Sequence, residues 1–193
     1  MSMSKNVLIV TGDAVEALEV FYPYYRCIEE DINCTIASPV KKKLQTVVHD
    51  FSPEMETFTE KWAYKIDSHA SVDEINPADY DGLIIPGGRA PEYIRMNPKV
   101  QEIAAHFLKE DKPLGVICHG QLVLTTVREY IKGREMTAYS ACRPEVEAAG
   151  ATYIEELLHV DGNIVSGHAW PDLPAFMREF FKVLNVKVEA SVK

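Results

Sequence analysis

The sequence predicts an α/β fold in which a mostly parallel sheet is covered by helices on both faces. Continuous apolar runs of strand length occupy residues 6–11, 83–86 and 114–117, and residues 34–38 predict a further strand. Such runs, without polar alternation, are typical of strands that are buried on both faces. Segments with helical spacing of apolar residues alternate with them, which favours parallel strands joined by crossover helices.

The first strand and helix carry an acidic residue that is not easily explained. Residues 6–11 (NVLIVT) predict a central strand, and residues 12–13 (GD) predict the turn after it. Asp13 and Glu16 have capping-box spacing for the following helix. The apolar face of that helix has four members: Leu18, Phe21, Tyr22 and Tyr25. Glu19 lies beside this face, where a solvated carboxylate is not expected; the alternative is that it reaches water from the edge.

The segment from about 40 to 71 departs from the alternation. It contains a basic patch at 41–43 and two runs, TVVHDF and WAYKID, separated by polar residues. We interpret it as an excursion with short strands, and it can form either a flap over a site or an oligomer contact. His49, Trp62 and His69 are interpreted as structural residues within it.

The stretch 113–121 (PLGVICHGQ) predicts a strand, a sharp turn and a helix. In such a turn a nucleophile projects beside the positive amino end of the next helix, here predicted over 121–131. A thiol at Cys118 is therefore expected to ionise easily. The alternative is that Cys118 is a small buried hydrophobe, as most free cysteines are.

Three turns are expected to meet at one edge of the sheet. The turn at Gly12, the glycine pair at 87–88 and Cys118 each follow the carboxyl end of a predicted strand. Ligands of parallel sheets bind beyond these ends. The glycine pair allows close backbone approach and can expose amides to a ligand. This convergence favours a functional Cys118.

The remaining elements follow in order along the chain. An amphipathic helix is predicted over 100–108, a short strand over 137–139, a helix near 144–149 and a hairpin turn at 161–163. The last helix has an apolar face with helical spacing: Leu173, Phe176, Met177, Phe180, Phe181 and Leu184. His168 precedes this helix and is interpreted as structural or interfacial.

Composition and charge exclude several classes of function. At 193 residues, the chain is predicted to form one domain over 1–193. Its net charge of −9 argues against nucleic acid or an anionic membrane as a partner. No apolar run approaches the roughly 20 residues of a membrane span, and the start is not built like a signal peptide. A cytoplasmic location is expected. The four cysteines have no metal-ligand spacing, so free thiols and no metal are expected.

Three blocks of sequence resemble a known family. They are Glu19 with Pro23, PGGRAPEYIR at 86–95 and VICHGQ at 116–121. Together they are similar to the ThiJ/PfpI superfamily, also called the DJ-one superfamily. The segment at 47–51 further resembles its glutathione-independent glyoxalase branch. The resemblance implies a flavodoxin-like three-layer sandwich with a cysteine nucleophile elbow.

The resemblance also implies roles for individual residues. Cys118 matches the family nucleophile, and Glu19 matches the acidic residue that hydrogen-bonds it. His119 matches the histidine that follows the cysteine, and Glu92 the acid that reaches it from a neighbouring subunit in the intracellular-protease branch. The amides of Gly88 and His119 match the oxyanion hole. No cofactor is implied.

The function implied is a cofactor-independent glyoxalase that converts methylglyoxal or glyoxal to lactate or glycolate, with deglycase activity as related chemistry. The first alternative is an intracellular cysteine peptidase or amidase that uses Cys118, His119 and Glu92. The second is a redox-sensing stress protein or chaperone. Val116, at the first glycine position of the related amidotransferase elbow, argues against glutamine amidotransfer. A small aldehyde or a peptide is expected as substrate, and a homodimer or larger homo-oligomer as the assembly.

Overall fold

The computed structural model describes residues 4–186, and its elements follow the predicted alternation. Its strands are β1 (Asn6–Val10), β2 (Val15–Glu16), β3 (Asn33–Ser38), β4 (Lys43–Phe51), β5 (Phe58–Asp67), β6 (Ala70–Ser71), β7 (Gly82–Ile85), β8 (Leu114–Ile117), β9 (Glu135–Met136), β10 (Thr152–Tyr153), β11 (Leu158–Asp161) and β12 (Ile164–Gly167). Its α-helices are α1 (Ala17–Glu29), α2 (Ala90–Ile94), α3 (Pro98–Lys109), α4 (Gln121–Leu124), α5 (Arg143–Ala148) and α6 (Leu173–Val183). None of the helices within residues 4–186 is long and apolar enough to cross a membrane.

The central sheet has seven strands in the order β11-β12-β8-β7-β1-β3-β6. All neighbours are parallel except β11 and β12, which are antiparallel. These two strands are joined by the hairpin turn predicted at 161–163, with Gly162 in the left-handed region at φ +57°. The prediction of a mostly parallel sheet is confirmed. β1, β7 and β8 are central, and their side chains are almost completely buried, as their unbroken apolar sequences require.

Helices cover both faces of the sheet and form two hydrophobic clusters. On one face, Phe107 of α3 packs among the buried residues of β7 and β8. On the other, Phe176 and Phe180 of α6 pack with residues of α1. The three-layer arrangement implied by the resemblance is therefore present. It fixes the carboxyl ends of β1, β7 and β8 at one edge.

Two local predictions are wrong at their boundaries. The helix predicted over 121–131 ends at Leu124, and 3-10 turns follow, with non-helical backbone at Val127. The hydroxyls of Thr125 and Thr126 donate to carbonyls three residues earlier, which favours tighter turns over a continued α-helix. The strand predicted over 137–139 is instead β9, two residues earlier.

The excursion at 40–71 forms longer strands than predicted. β4 and β5 have nine and ten residues and pair as an antiparallel hairpin. β2 pairs with β4 in parallel, so the hairpin is joined to the chain just before α1. This small sheet lies next to the edge of the central sheet where its strands end, since β2 follows β1. The hairpin thus reaches the candidate site.

Candidate active site

Cys118 lies in a strained turn directly after β8. Its φ is +62°, in the left-handed region that non-glycine residues rarely adopt. The conformation is held from both sides, because the Cys118 amide donates to the Gly167 carbonyl at 3.0 Å and its carbonyl accepts from the Tyr139 amide at 3.0 Å. Strain that is held in this way is typical of functional positions. The predicted strand and sharp turn are confirmed.

The glycine pair after β7 brings a second backbone segment against the cysteine. A Cβ on Gly87 would lie 2.6 Å from Cys118 Cβ and 2.7 Å from Glu19 Oε2. At Gly88, φ is +70° and a Cβ would lie 2.3 Å from the Glu16 amide. Only glycine fits either position. The amides of Gly88 and His119 both lie close enough to the Cys118 sulfur to lower its pKa.

Glu19 is completely buried beside Cys118, so the alternative of a carboxylate that reaches water is wrong. Its Oε2 accepts a hydrogen bond from the Gly87 amide at 2.8 Å. The Cys118 side chain lies close enough to affect the pKa of the carboxyl, and Oε1 has no hydrogen-bond partner among the described residues. Burial, reinforced by the charge of Glu16, raises the pKa of Glu19 to about 8. Glu19 is therefore mostly protonated at neutral pH, as a proton donor beside the sulfur requires.

Glu16 supports the start of α1 in a different way from the predicted capping box. Its carboxylate caps the helix by accepting from the Glu19 amide at 2.9 Å. Burial raises the pKa of Glu16 to about 7. Asp13 does not cap the helix; it accepts from the Gln45 amide at 3.0 Å and pairs with Lys42. Asp13 thus ties the turn after β1 to the hairpin.

The thiol of Cys118 is less acidic than expected from its position in the turn. Cys118 is 6% exposed, and burial together with the negative charge of Glu19 raises its pKa well above that of a free cysteine. α4 has only four residues, so its amino end offers little compensating dipole. The expectation of easy ionisation is wrong for the resting site. The thiol needs a base.

His119 is a titratable side chain that lies next to the sulfur. Its Nδ1 lies 3.3 Å from Cys118 Sγ. The imidazole stacks on Tyr139, with ring centres 5.2 Å apart, and meets the edge of Phe58 at 6.0 Å. Burial, with a smaller contribution from the charge of His49, lowers the pKa of His119 to about 4. His119 is therefore neutral at neutral pH and is a weaker base than a free imidazole.

Glu92 is not brought together with the other candidate residues inside this chain. It lies exposed on α2, and no hydrogen bond joins it to His119 within residues 4–186. Its approach to the histidine of a neighbouring subunit remains a prediction.

Sequence reasoning missed Phe58 and interpreted His49 as structural, whereas both lie with Tyr139 in the ring cluster around His119. His168, interpreted as structural, reaches the same cluster through Tyr139, at a ring distance of 5.7 Å. Alternation in TVVHDF was an available signal, because it places His49 on the same face of β4 as the buried Val47. Phe58 gave no local signal, since its neighbours in the structure are distant in sequence.

A large cavity lies outside the cysteine turn. It has a volume of about 1160 Å³ and is bordered by α1 and the β4–β5 hairpin. Much of its lining is aromatic: Phe21, Tyr25, Trp62, Tyr64 and Trp170. Glu16 and His49 border it, but Cys118, Glu19 and His119 do not. The hydrogen bonds and the strained backbone, rather than the cavity, therefore locate the site.

Comparisons with known proteins agree with this geometry. A family model described as "DJ-1/PfpI family" matches residues 5–183. "Protein DJ-1 homolog D" of Arabidopsis thaliana is 36% identical over 200 residues; the match covers the whole of this chain and 51% of that protein, so this chain spans about half its length. "Deglycase PfpI" of Pyrococcus furiosus is 38% identical over 180 residues, with 93% and 99% of the two chains covered. The solved structure of Schizosaccharomyces pombe DJ-1 superposes with a TM-score of 0.76 at 18% identity over 95% and 93% of the chains, which shows the shared fold.

Proposed function

This chain belongs to the DJ-1/PfpI family, and on that premise we propose that it is a cofactor-independent glyoxalase acting on methylglyoxal or glyoxal. The observation that carries the proposal is the completely buried carboxyl of Glu19 beside the Cys118 sulfur. A nucleophile alone serves many reactions. A proton carrier at the nucleophile suits a reaction that moves a proton between neighbouring substrate carbons.

The first step is addition of Cys118 to the aldehyde. His119 Nδ1 accepts the thiol proton while sulfur bonds to the aldehyde carbon. The aldehyde oxygen takes up a proton, and a hemithioacetal results. The amides of Gly88 and His119 stabilise the charge that develops on this oxygen.

The second step is isomerisation by Glu19. The ionised carboxylate removes the hydrogen from the former aldehyde carbon and returns it to the adjacent carbonyl carbon, while the hydroxyl proton of the hemithioacetal passes to the oxygen of that carbonyl. The former aldehyde carbon thereby becomes the thioester carbonyl, and its neighbour carries the hydroxyl. With the pKa of Glu19 raised to about 8, a minor but usable fraction is ionised at neutral pH. Turnover should therefore rise with pH and level off above about pH 8.

The third step is hydrolysis. Water attacks the thioester with His119 as base, and lactate, or glycolate from glyoxal, leaves as the thiol is restored. The sum is one aldehyde and one water converted to one hydroxy acid. No electrons are exchanged with a cofactor, and no metal takes part.

Deglycase activity is a related proposal. A relative that is 38% identical bears the name "Deglycase PfpI". Hydrolysis of groups that an aldehyde has added to amines or thiols uses the same nucleophile and the same oxyanion amides. The peptidase alternative needs Glu92 of a neighbouring subunit, since Glu92 is exposed and makes no hydrogen bond to His119 within the part of the chain that the structure describes.

We also propose that the chain forms at least a homodimer. Trp62 and Tyr64 on β5 are 72% and 84% exposed and adjoin the aromatic cavity, and exposed aromatic patches of this kind are typical of interfaces. Sizing with light scattering at micromolar concentration should give at least twice the monomer mass. A monomer there would contradict the proposal.

The deciding experiment is lactate formation from methylglyoxal without glutathione or added metal. The wild-type chain should turn over, while Cys118→Ala and Glu19→Gln should lose at least about 100-fold in kcat. Normal turnover by Cys118→Ala would refute the mechanism. If the wild type is inactive although Cys118 is readily alkylated, the reactive thiol serves another substrate, and peptide amides would be tested next.

A further inference from the structure

A second histidine lies close to the cysteine centre, on the β4–β5 hairpin. His49 is only 4% exposed, and it pairs with Glu60 in the register of the hairpin. Its Nε2 lies 2.9 Å from Glu60 Oε2. Glu60 also accepts two hydrogen bonds from Arg89, from Nε at 2.6 Å and from Nη2 at 2.7 Å. Arg89 follows Gly88, so a chain of hydrogen bonds links the hairpin to the glycine loop.

The ring of Phe58 connects His49 to the active site. Its centre lies 4.2 Å from the centre of the His49 ring. The same ring meets His119 nearly at right angles, at 6.0 Å and 89°. Tyr139 stacks on His119 with an interplanar angle of 24°. His119 is therefore packed against two aromatic rings, one of which is itself held by His49.

The backbone of His49 is anchored as well. Its carbonyl accepts from the indole Nε1 of Trp170 at 3.0 Å, which joins the hairpin to the segment between β12 and α6. Its amide lies close enough to the Glu16 carboxyl to lower the pKa of that group. Side chain and backbone thus make separate connections to the glycine loop, to the segment before α6 and to the start of α1.

We propose that His49, held by Glu60 and Arg89, is a positioning residue of the cysteine centre: it fixes Phe58 against His119 and orders the imidazole for proton transfer with Cys118. The inference rests on the proposed function only in giving His119 the role of base. A purely structural histidine on a hairpin needs neither an ion-paired carboxylate nor a ring shared with the active-site imidazole.

Charge gives independent support. The charge of His49 lowers the pKa of His119 in addition to burial. The charged or titratable groups that face His49 are Glu60 and, beyond it, Arg89, together with Glu16 from β2 and His119 itself. Arg89 holds the pKa of Glu60 at about 2, so this carboxylate stays ionised beside His49 throughout the range in which His119 titrates.

The test is a proton NMR titration of the histidine rings, which does not depend on turnover. In His49→Gln, the pKa of His119 should rise by roughly one unit, because the substitution removes the positive charge of His49. The ring centres of His49 and Phe58 are 4.2 Å apart and those of Phe58 and His119 are 6.0 Å apart, so this charge lies within about 10 Å of His119. The cross-relaxation between Phe58 and His119 ring protons should also weaken. The matched control is Asp67→Asn, which removes the Lys43–Asp67 pair at the far end of the same hairpin and should change neither signal.

The wild-type chain provides a second measurement if the variant does not fold. In the wild type, cross-relaxation should link the ring protons of Phe58 both to those of His49 and to those of His119. Absence of either contact in the wild type, or an unchanged pKa of His119 in folded His49→Gln, would overturn the inference.

Turnover then separates positioning from substrate binding. With methylglyoxal, His49→Gln should lose about tenfold in kcat with little change in KM, whereas Asp67→Asn should keep both. Equal turnover of His49→Gln and wild type would refute positioning. An inactive wild type would count against the glyoxalase proposal alone, because the titration would still report on His49.

Discussion

Replacing Glu19 by glutamine should change how stability depends on pH. The folded protein holds the pKa of this carboxyl at about 8, against 4.5 for the free group, chiefly because the side chain is completely buried. Glutamine has nearly the same shape and keeps an oxygen that can accept from the Gly87 amide. Its NH₂ group takes the position of the acid O–H beside the Cys118 sulfur. Only the ability to ionise is lost.

The sign and size of the effect follow from linkage. Because the folded pKa lies above the unfolded one, the stability contributed by Glu19 is fully present below pH 4.5 and is lost as the pH rises through about 8. The shift corresponds to about 5 kcal/mol over the whole interval, at about 1.4 kcal/mol per pH unit. Glu19→Gln and wild type should therefore be similarly stable near pH 5, and the variant should be more stable by up to about 5 kcal/mol near pH 9.

Urea unfolding followed by circular dichroism at pH 5, 7 and 9 measures this difference. Glu129→Gln is the matched control, because Glu129 is exposed and its removal should leave the pH dependence of wild type intact. Parallel pH curves for wild type and Glu19→Gln would show that Glu19 ionises as readily in the fold as in the unfolded chain. The proposed proton carrier would then be lost.

Three further predictions concern packing and charge. Gly88→Ala should lower the free energy of unfolding in urea by at least about 3 kcal/mol, because it adds a backbone clash to a positive φ. Gly133 has φ +77° and open space around it, so Gly133→Ala should cost only about 1–2 kcal/mol. Equal losses in the two variants would contradict the packing argument. Phe107→Ala should cost about 3–5 kcal/mol, and a loss under about 1 kcal/mol would mean that the α3 side of the core is not packed as described. Arg89→Met should raise the pKa of the Glu60 carboxyl, followed by carbon-13 NMR, from about 2 towards 4.5. The stability that the lowered pKa of Glu60 contributes, present above pH 4.5 and lost as the pH falls towards 2, should disappear in the variant. An unchanged Glu60 pKa would exclude Arg89 as the cause of the shift.

The cysteine turn was predictable because its signals are local. An apolar run that stops at Cys118 and is followed by glycine and helix-forming residues defines strand, turn and helix within a few positions. The burial of Glu19 was indicated by its place beside an apolar face. Both features depend on spacing within one element, which sequence patterns record well.

The electrostatic state of the site could not be predicted in the same way. The amino end of a helix predicted a readily ionised thiol, yet that helix is four residues long and Cys118 is enclosed by Glu19 and the glycine pair. Enclosure depends on segments about 30 and 100 residues away. The contact of His119 with Phe58 likewise arises from a hairpin that the sequence indicated only as an excursion.

The resting state of the site bears on the redox-sensor alternative. Sensor cysteines react as exposed thiolates of low pKa. Cys118 is 6% exposed and its pKa is raised, so at neutral pH the thiol stays protonated until a base removes the proton. His119 lies at hydrogen-bonding distance and is neutral, so in the proposed mechanism proton transfer accompanies the approach of the substrate. A buried, protonated thiol is expected to resist diffusing oxidants, which supports the proposed enzyme over a sensor.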